Sequence, residues 1–418
     1  MNYSYSSQLS RISGINTKNY LLLFIVWPFL ALVTALSNYS RKESKNVVYL
    51  FLIYYGFTFV VGNAGNDAER YLYGFKTYAE LPFSDFFKIV GGIYSSDSSV
   101  DIIEPLISFI ISRFASHHSF LFAAYAALFG FFYLKSINLL HERYQENPGY
   151  NALIHFVFFI MILPISAING FRMWTAAWIF FFGAYHVVLN RDPKYLLITL
   201  GASLVHFSYL SVNAILIIYY LAGNRNVIYL PLAVLSFIVP QLVTPYIQSI
   251  SGILSGGLRS RVEMYSSETS ILGRQENAEQ LIWFMKISSD LVLYYLILAI
   301  LIIQVKKRSI IQNVSEKNLF SFLLLFLTFV NFGMQIPSFG GRFQTIFFMF
   351  ATLYVFLYYI KLPGSKINLL TLVGLFPLLL YAAISFRQAS DSFSVWILTP
   401  GLGLPFLFPD LSIADFLF

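Results

Sequence analysis

Apolar residues gather into long blocks from Tyr20 to Ser385, separated by short polar interruptions. Blocks long enough to count as candidate spans fall at 20–37, 47–62, 118–134, 151–168, 172–189, 195–222, 227–244, 286–304, 319–336, 343–360 and 367–384. Most hold about 16–20 residues, close to what a helix rising about 1.5 Å per residue needs to cross a core about 30 Å thick. Only helices or closed barrels satisfy their backbone in lipid. Barrel strands would alternate in polarity, whereas stretches such as Leu319 to Val330 do not. The pattern predicts an all-α, polytopic membrane protein.

Two regions depart from it. Residues 63–117 hold polar loops and two short apolar pieces, 83–90 and 102–114. Neither spans alone, so both are expected as external interfacial or re-entrant helices packed against protein. The other is 195–222, whose middle carries Gly201, Ser203, His206, Ser208 and Ser211. It is either one long tilted helix or two short ones turning near His206. Charge decides, because Lys and Arg accumulate on cytoplasmic loops. The clusters Arg41-Lys42 with Lys45, Arg191 with Lys194, Lys306-Lys307-Arg308, and Lys361 with Lys366 share one side only if 195–222 crosses twice. That makes about 12 spans in a single membrane domain over residues 1–418, with 63–117 and 245–285 as external loops.

Under this topology the cytoplasmic loops hold nine of the 13 lysines but only five of the 14 arginines. The other nine arginines, 11, 70, 113, 172, 259, 261, 274, 342 and 387, lie on or near the external side. An arginine-rich outer face suits planar, bidentate recognition of phosphate or carboxylate. Fifteen of the 20 acidic residues lie there too, so ordinary ion pairing accounts for part of the excess.

Composition narrows the chemistry further. Hydrophobic residues make up 57% of the chain and charged ones 11%, too few to solvate a soluble protein of 418 residues. There is no cysteine, which removes disulfides and thiolate chemistry. None of the six histidines forms a metal-binding spacing, so no metal and no cofactor is expected. Met1 to Asn19 is polar and runs into the first span without a small-residue cleavage site. The net charge of +7 is spread over many short loops, which is no nucleic-acid signature.

The few polar groups at the outer boundary are the candidates for function. Arg172 opens a span after Asn169-Gly170-Phe171, and Gly340-Gly341-Arg342 opens another. Two arginines so placed would clamp a diphosphate between them; the alternative is two independent residues snorkelling to water. Arg259 and Arg261 follow Ser255-Gly256-Gly257 in the 245–285 loop, where they suit a closing anion contact or a solvated loop. His206 lies at the proposed turn beside Ser208, and histidine's ordinary pKa of about 6.5 fits proton abstraction from a hydroxyl. Core packing is the alternative. Asp67, in Asn66-Asp67-Ala68-Glu69-Arg70-Tyr71, and Glu104, in Asp101-Ile102-Ile103-Glu104-Pro105, are candidate bases or acceptor ligands. Either would equally pair with Arg70 or Arg113, and Glu104 would also complement its helix dipole.

At these residues the chain resembles the EpsG/Wzy-type polysaccharide polymerases. The matching pieces are Gly65-Asn66-Asp67 with Tyr71 and Phe75, Glu104-Pro105-Leu106, Asn169-Gly170-Phe171-Arg172 with Ala176, and His206-Phe207-Ser208. They fall within residues 45–225; the remainder matches by topology, and Gly341-Arg342 fits loosely. The resemblance implies a metal-independent glycosyltransferase with a GT-C-like membrane fold, in the bacterial inner membrane. It would join undecaprenyl-diphosphate-linked oligosaccharide repeats on the periplasmic side. Catalytic roles would then fall to His206, Asp67 and Glu104, diphosphate contacts to Arg172, Arg342, Arg259 and Arg261, and further substrate contacts to Arg70 and Tyr71. Membrane lipid is a partner, and a chain-length regulator is compatible. An O-antigen ligase would share the donor and the arginines; a flippase would show repeated halves, which this sequence lacks.

Overall fold

A computed structural model describes residues 17–62, 67–91, 101–239, 283–306, 310, 313–334, 336, 339–362, 364, 366–407 and 411–417. Their regular structure is almost all helical. In chain order the helices are α1 Thr17–Val26, α2 Pro28–Leu36, α3 Lys42–Phe57, α4 Asp67–Glu80, α5 Phe83–Gly91, α6 Ile103–Ser112, α7 His118–Glu146 and α8 Tyr150–Ile162. There follow α9 Phe171–Leu189, α10 Tyr195–Val205, α11 Tyr209–Ala222, α12 Asn226–Ile238, α13 Trp283–Lys306, α14 Val314–Gly333, α15 Gly340–Ile360 and α16 Leu369–Ser390, then α17 Leu404–Leu407 and α18 Ile413–Leu417. Among the described residues, 6 apolar segments are long enough to cross a membrane, and several shorter apolar helices pack beside them. This is a polytopic membrane protein.

One of those segments, the 40-residue stretch Tyr150–Leu189, is a hairpin rather than a single helix. Pro164 cannot supply a backbone N–H, so α8 ends at Ile162 and a 3₁₀ turn, Ile165–Gly170, sends the chain back as α9. That turn carries Asn169, Gly170 and, one step on, Phe171 and Arg172.

The 195–222 stretch also folds back. His206 is extended, at φ −150° and ψ 118°, and separates α10 from α11. Asn213 donates to the Thr199 carbonyl at 2.8 Å and to Ser203 Oγ at 3.1 Å, which lays the two helices side by side. Arg191 then reaches the Tyr220 carbonyl at 3.2 Å, so α11 finishes where α10 began. Against α9 the hairpin packs closely: a Cβ on Gly183 would lie 2.5 Å from Thr199 Cγ2 and 3.0 Å from the Tyr195 carbonyl oxygen. Gly183 thus has a packing reason, since any side chain there would push α10 away.

Polar ties gather the lysine-bearing loops at one end. Ser40 meets Gln145, Asn147 meets the Ile360 carbonyl, and Asn151 meets the Lys366 carbonyl. Lys361 pairs with Glu316 at 2.6 Å, Ser315 holds the Leu189 carbonyl, and Asn224 holds Asn318. At the far end of the bundle lie the 3₁₀ turn, His206, and the end of α16. There Val60 donates to the Ser392 carbonyl at 3.1 Å.

Two elements differ from the sequence expectation. The first block, 20–37, is broken at Trp27 ahead of Pro28, and the freed carbonyls of Val26 and Ile25 accept from Gly401 and Leu402. Residues 67–80, expected as polar loop, form α4, whose buried face is Ala68, Tyr71 and Phe75. That stripe is too narrow against six polar or charged neighbours to register as apolar. The short apolar pieces do form helices, α5 and α6. Most of the 245–285 loop, with Arg259 and Arg261, lies outside the described residues, as do 63–66, 92–100, Lys307 and Arg308.

Candidate active site

Asp101 is the junction of the far end. It is 2% exposed, and a buried carboxylate is stable only with partners. The backbone N–H of Phe207 donates to Oδ1 at 2.8 Å. His206 Nδ1 lies 3.0 Å from Oδ2, and Arg172 Nη1 donates to that same oxygen at 3.1 Å. The backbone of the next residue is fixed as well, because Ile102 N–H donates to the Leu204 carbonyl at 3.0 Å. Burial pushes the Asp101 carboxyl up; the His206 hydrogen bond, the Arg172 charge and the Phe207 amide outweigh it and hold it below the usual carboxylate range.

Arg172 is held from two other sides. Its backbone N–H donates to the Tyr71 hydroxyl at 3.4 Å, and its guanidinium carbon lies 5.6 Å from the Tyr71 ring centroid, within cation–π range. Phe171 stacks on Tyr125 at 3.9 Å between centroids. Tyr125 and Ser108 both hydrogen-bond Glu104 Oε1, at 3.1 and 2.9 Å. Burial pushes the Glu104 carboxyl up; Arg172 and those hydroxyls oppose the shift without cancelling it. Five elements therefore converge on Arg172 and Asp101: the 101–102 segment, α4, α6, the start of α9 and the α10–α11 turn.

A cavity of about 550 Å³ opens against the 3₁₀ turn that leads into Arg172. Asp67, Asn169, Gly170 and Trp174 line it, together with Thr345 from α15 and Tyr381, Ser385, Gln388 and Asp391 from α16 and its end. Its size falls within the range of small-molecule sites. Gly170 keeps its wall open, since a Cβ there would sit 2.9 Å from the Trp174 ring and 3.9 Å from Asp67 Oδ2. The Asn169 Oδ1 has no hydrogen-bond partner among the described residues. Carboxylates, amides and hydroxyls beside a tryptophan and a tyrosine are the groups that bind sugars, through hydroxyl hydrogen bonds and the apolar face of the ring.

The sequence candidates divide between these two places. Arg172, Tyr71, Glu104 and His206 belong to the buried cluster; Asp67 lines the cavity. Arg70 is exposed and reaches Asp67 Oδ1 at 3.5 Å, a surface pair worth about 0–1 kcal/mol. Arg342 is half-buried at the start of α15, next to Phe343, whose ring centroid lies 5.7 Å from that of Tyr209. The Tyr209 hydroxyl in turn donates to the Met173 carbonyl at 3.0 Å. In sequence Asp101 does not stand out, because a single carboxylate near a helix start carries no signal of partners 71 and 105 residues away. The α16 side of the cavity reads in sequence only as the end of a span.

The family model for EpsG matches residues 47–398, most of the chain. The chain belongs to the EpsG family. Membership points to a role in polysaccharide polymerisation at a membrane, and so to a lipid-linked oligosaccharide as the substrate class. The matched range takes in this EpsG-family protein's cluster and its cavity alike, including the α16 residues. No curated protein and no solved structure matches it.

Proposed function

We propose that this EpsG-family protein is a metal-independent glycosyltransferase that polymerises undecaprenyl-diphosphate-linked oligosaccharide repeats on the periplasmic side of the bacterial inner membrane. The observation that carries the reading is the position of the Arg172–Asp101–His206 cluster beside a cavity of sugar-binding character. A diphosphate leaving group needs cationic donors, an attacking hydroxyl needs a base, and a glycan needs polar and aromatic walls. All three lie at one end of the bundle.

In this reaction a hydroxyl of the acceptor repeat attacks the anomeric carbon of the donor's first sugar. Its oxygen forms the new glycosidic bond as the bond from that carbon to the diphosphate oxygen breaks, and the electron pair leaves on the diphosphate. His206 Nε2 takes the hydroxyl proton. Arg172 and Arg342, with Arg259 or Arg261 from the external loop, meet the charge developing on the leaving group. Asp67 with Arg70 at the rim binds acceptor hydroxyls, Tyr71 orients Arg172, and Glu104 supports the cluster from beneath. The fold we assign is GT-C-like, a single membrane domain of about 12 spans, counting both arms of the α10–α11 hairpin. A chain-length regulator would meet it from outside.

The orientation has its own test. The chain is naturally free of cysteine, so single cysteines report sidedness. A cysteine replacing the exposed Arg70 is expected to react with an impermeant maleimide only from outside, and one replacing the exposed Lys317 only from the cytoplasm. The reverse pattern overturns the topology. The activity itself is tested by supplying the purified protein with a lipid-linked repeat and following polymer.

A further inference from the structure

The carboxylate of Asp101 is asked to serve a guanidinium and an imidazole at once. Its Oδ2 accepts from both Arg172 and His206, while Oδ1 is tied to the Phe207 amide. We propose that Asp101 is a positioning residue for glycosyl transfer: it sets the His206 imidazole for proton abstraction and is the internal anion that the donor diphosphate displaces from Arg172. The inference rests on the reading of Arg172 and His206 given above.

Geometry carries both halves. A carboxylate only accepts hydrogen bonds, so at 3.0 Å it selects the imidazole tautomer protonated at Nδ1 and leaves the lone pair on Nε2. The break between α10 and α11 supplies the ring, and the Ile102-to-Leu204 backbone bond holds the carboxylate at that break. An aspartate in this relation to a histidine base orients it without itself taking the proton.

Arg172 is then the exchangeable partner. Its side chain is 25% exposed, against 3% for Asp101, so one edge of the guanidinium remains open to a ligand. A planar guanidinium binds a diphosphate bidentately and with more charge than a shared carboxylate oxygen offers. When the donor draws Arg172 away, Asp101 Oδ2 no longer shares its charge between Arg172 and His206. The carboxylate then draws more strongly on the Nδ1 proton, which makes Nε2 a better base once the donor is in place. Coupling of this kind would discourage proton abstraction in the empty site.

The test separates positioning from plain structural support, because the two halves move in opposite directions. Asp101→Asn removes the anion that competes for Arg172 and places an amide where the imidazole needs an acceptor. The variant is expected to bind inorganic diphosphate several-fold more tightly than the unaltered protein, while kcat for polymerisation falls roughly 10²–10⁴-fold. Asp101→Glu keeps the charge and is expected to recover part of the lost kcat and to return diphosphate affinity toward the original value. Arg172→Ala should weaken diphosphate binding. The proposal is overturned if Asp101→Asn binds diphosphate with unchanged or lower affinity, or keeps near-normal kcat. If Asp101→Asn fails to fold, Asp101→Glu decides: diphosphate affinity close to the original with a partial kcat is expected, and a loss of both overturns the proposal. Titration with inorganic diphosphate needs no turnover, so absence of polymerase activity in the unaltered protein would overturn the functional reading while the binding comparison still judges Asp101.

Discussion

Arg172→Lys is expected to lower polymer formation by about 10²-fold even though the positive charge is kept. Lysine offers a point charge on a flexible stem, whereas arginine offers a planar fork. In this site the fork has separate tasks: Nη1 meets Asp101 at 3.1 Å, the guanidinium faces the Tyr71 ring, and its open edge is left for the donor. A lysine has neither the flat face that lies against Tyr71 nor the paired N–H groups for a bidentate diphosphate contact. Arg172→Ala is the harsher substitution, because it also leaves a buried carboxylate without its main cation, a defect that typically costs about 3–5 kcal/mol. Thermal unfolding therefore has to accompany the assay, and the lysine variant separates loss of chemistry from loss of fold. Combining Arg172→Ala with Arg342→Ala should abolish polymer. Full polymer formation by a folded double variant would contradict the diphosphate clamp.

His206→Ala is expected to slow turnover roughly 10²–10⁴-fold, the range for loss of a general base. Its donor KM should change little, since the diphosphate contacts are arginine's. Asp67→Asn should act differently, raising acceptor KM, because Asp67 lines the cavity and His206 does not. Glu104→Gln should have the mildest catalytic effect. Its carboxylate is buried under Ser108 and Tyr125, and a glutamine can still accept from both hydroxyls. If His206→Ala keeps near-normal turnover while Asp67→Asn or Glu104→Gln abolishes it, the base is that carboxylate and His206 is a packing residue.

What was legible beforehand follows from the range over which each signal acts. The membrane class and the turn at His206 come from local hydropathy and from where Lys and Arg fall, both of which a linear chain displays. The helix at 67–80 escaped notice because only Ala68, Tyr71 and Phe75 face inward while its other positions are mostly polar. The candidates Arg172, His206 and Glu104 stood out as costly polar residues at apolar boundaries. Their meeting point did not, because Asp101 joins residues distant in sequence through a backbone contact to Leu204 that no pattern announces. The cavity wall was hidden for the same reason: Gln388 and Asp391 come from the opposite end of the chain to Asp67.

The central claim is that this site transfers glycans from a lipid diphosphate to a second repeat. Its most direct measurement is to incubate the purified protein, in lipid nanodiscs, with undecaprenyl-diphosphate-linked repeat and no nucleotide sugar, and to resolve the products by length. A ladder of polymers with release of undecaprenyl diphosphate, lost in Arg172→Lys and His206→Ala, is the predicted result. Unextended repeat with no diphosphate lipid released, from protein that is folded and supplied with the repeat of its own polymer, would contradict it.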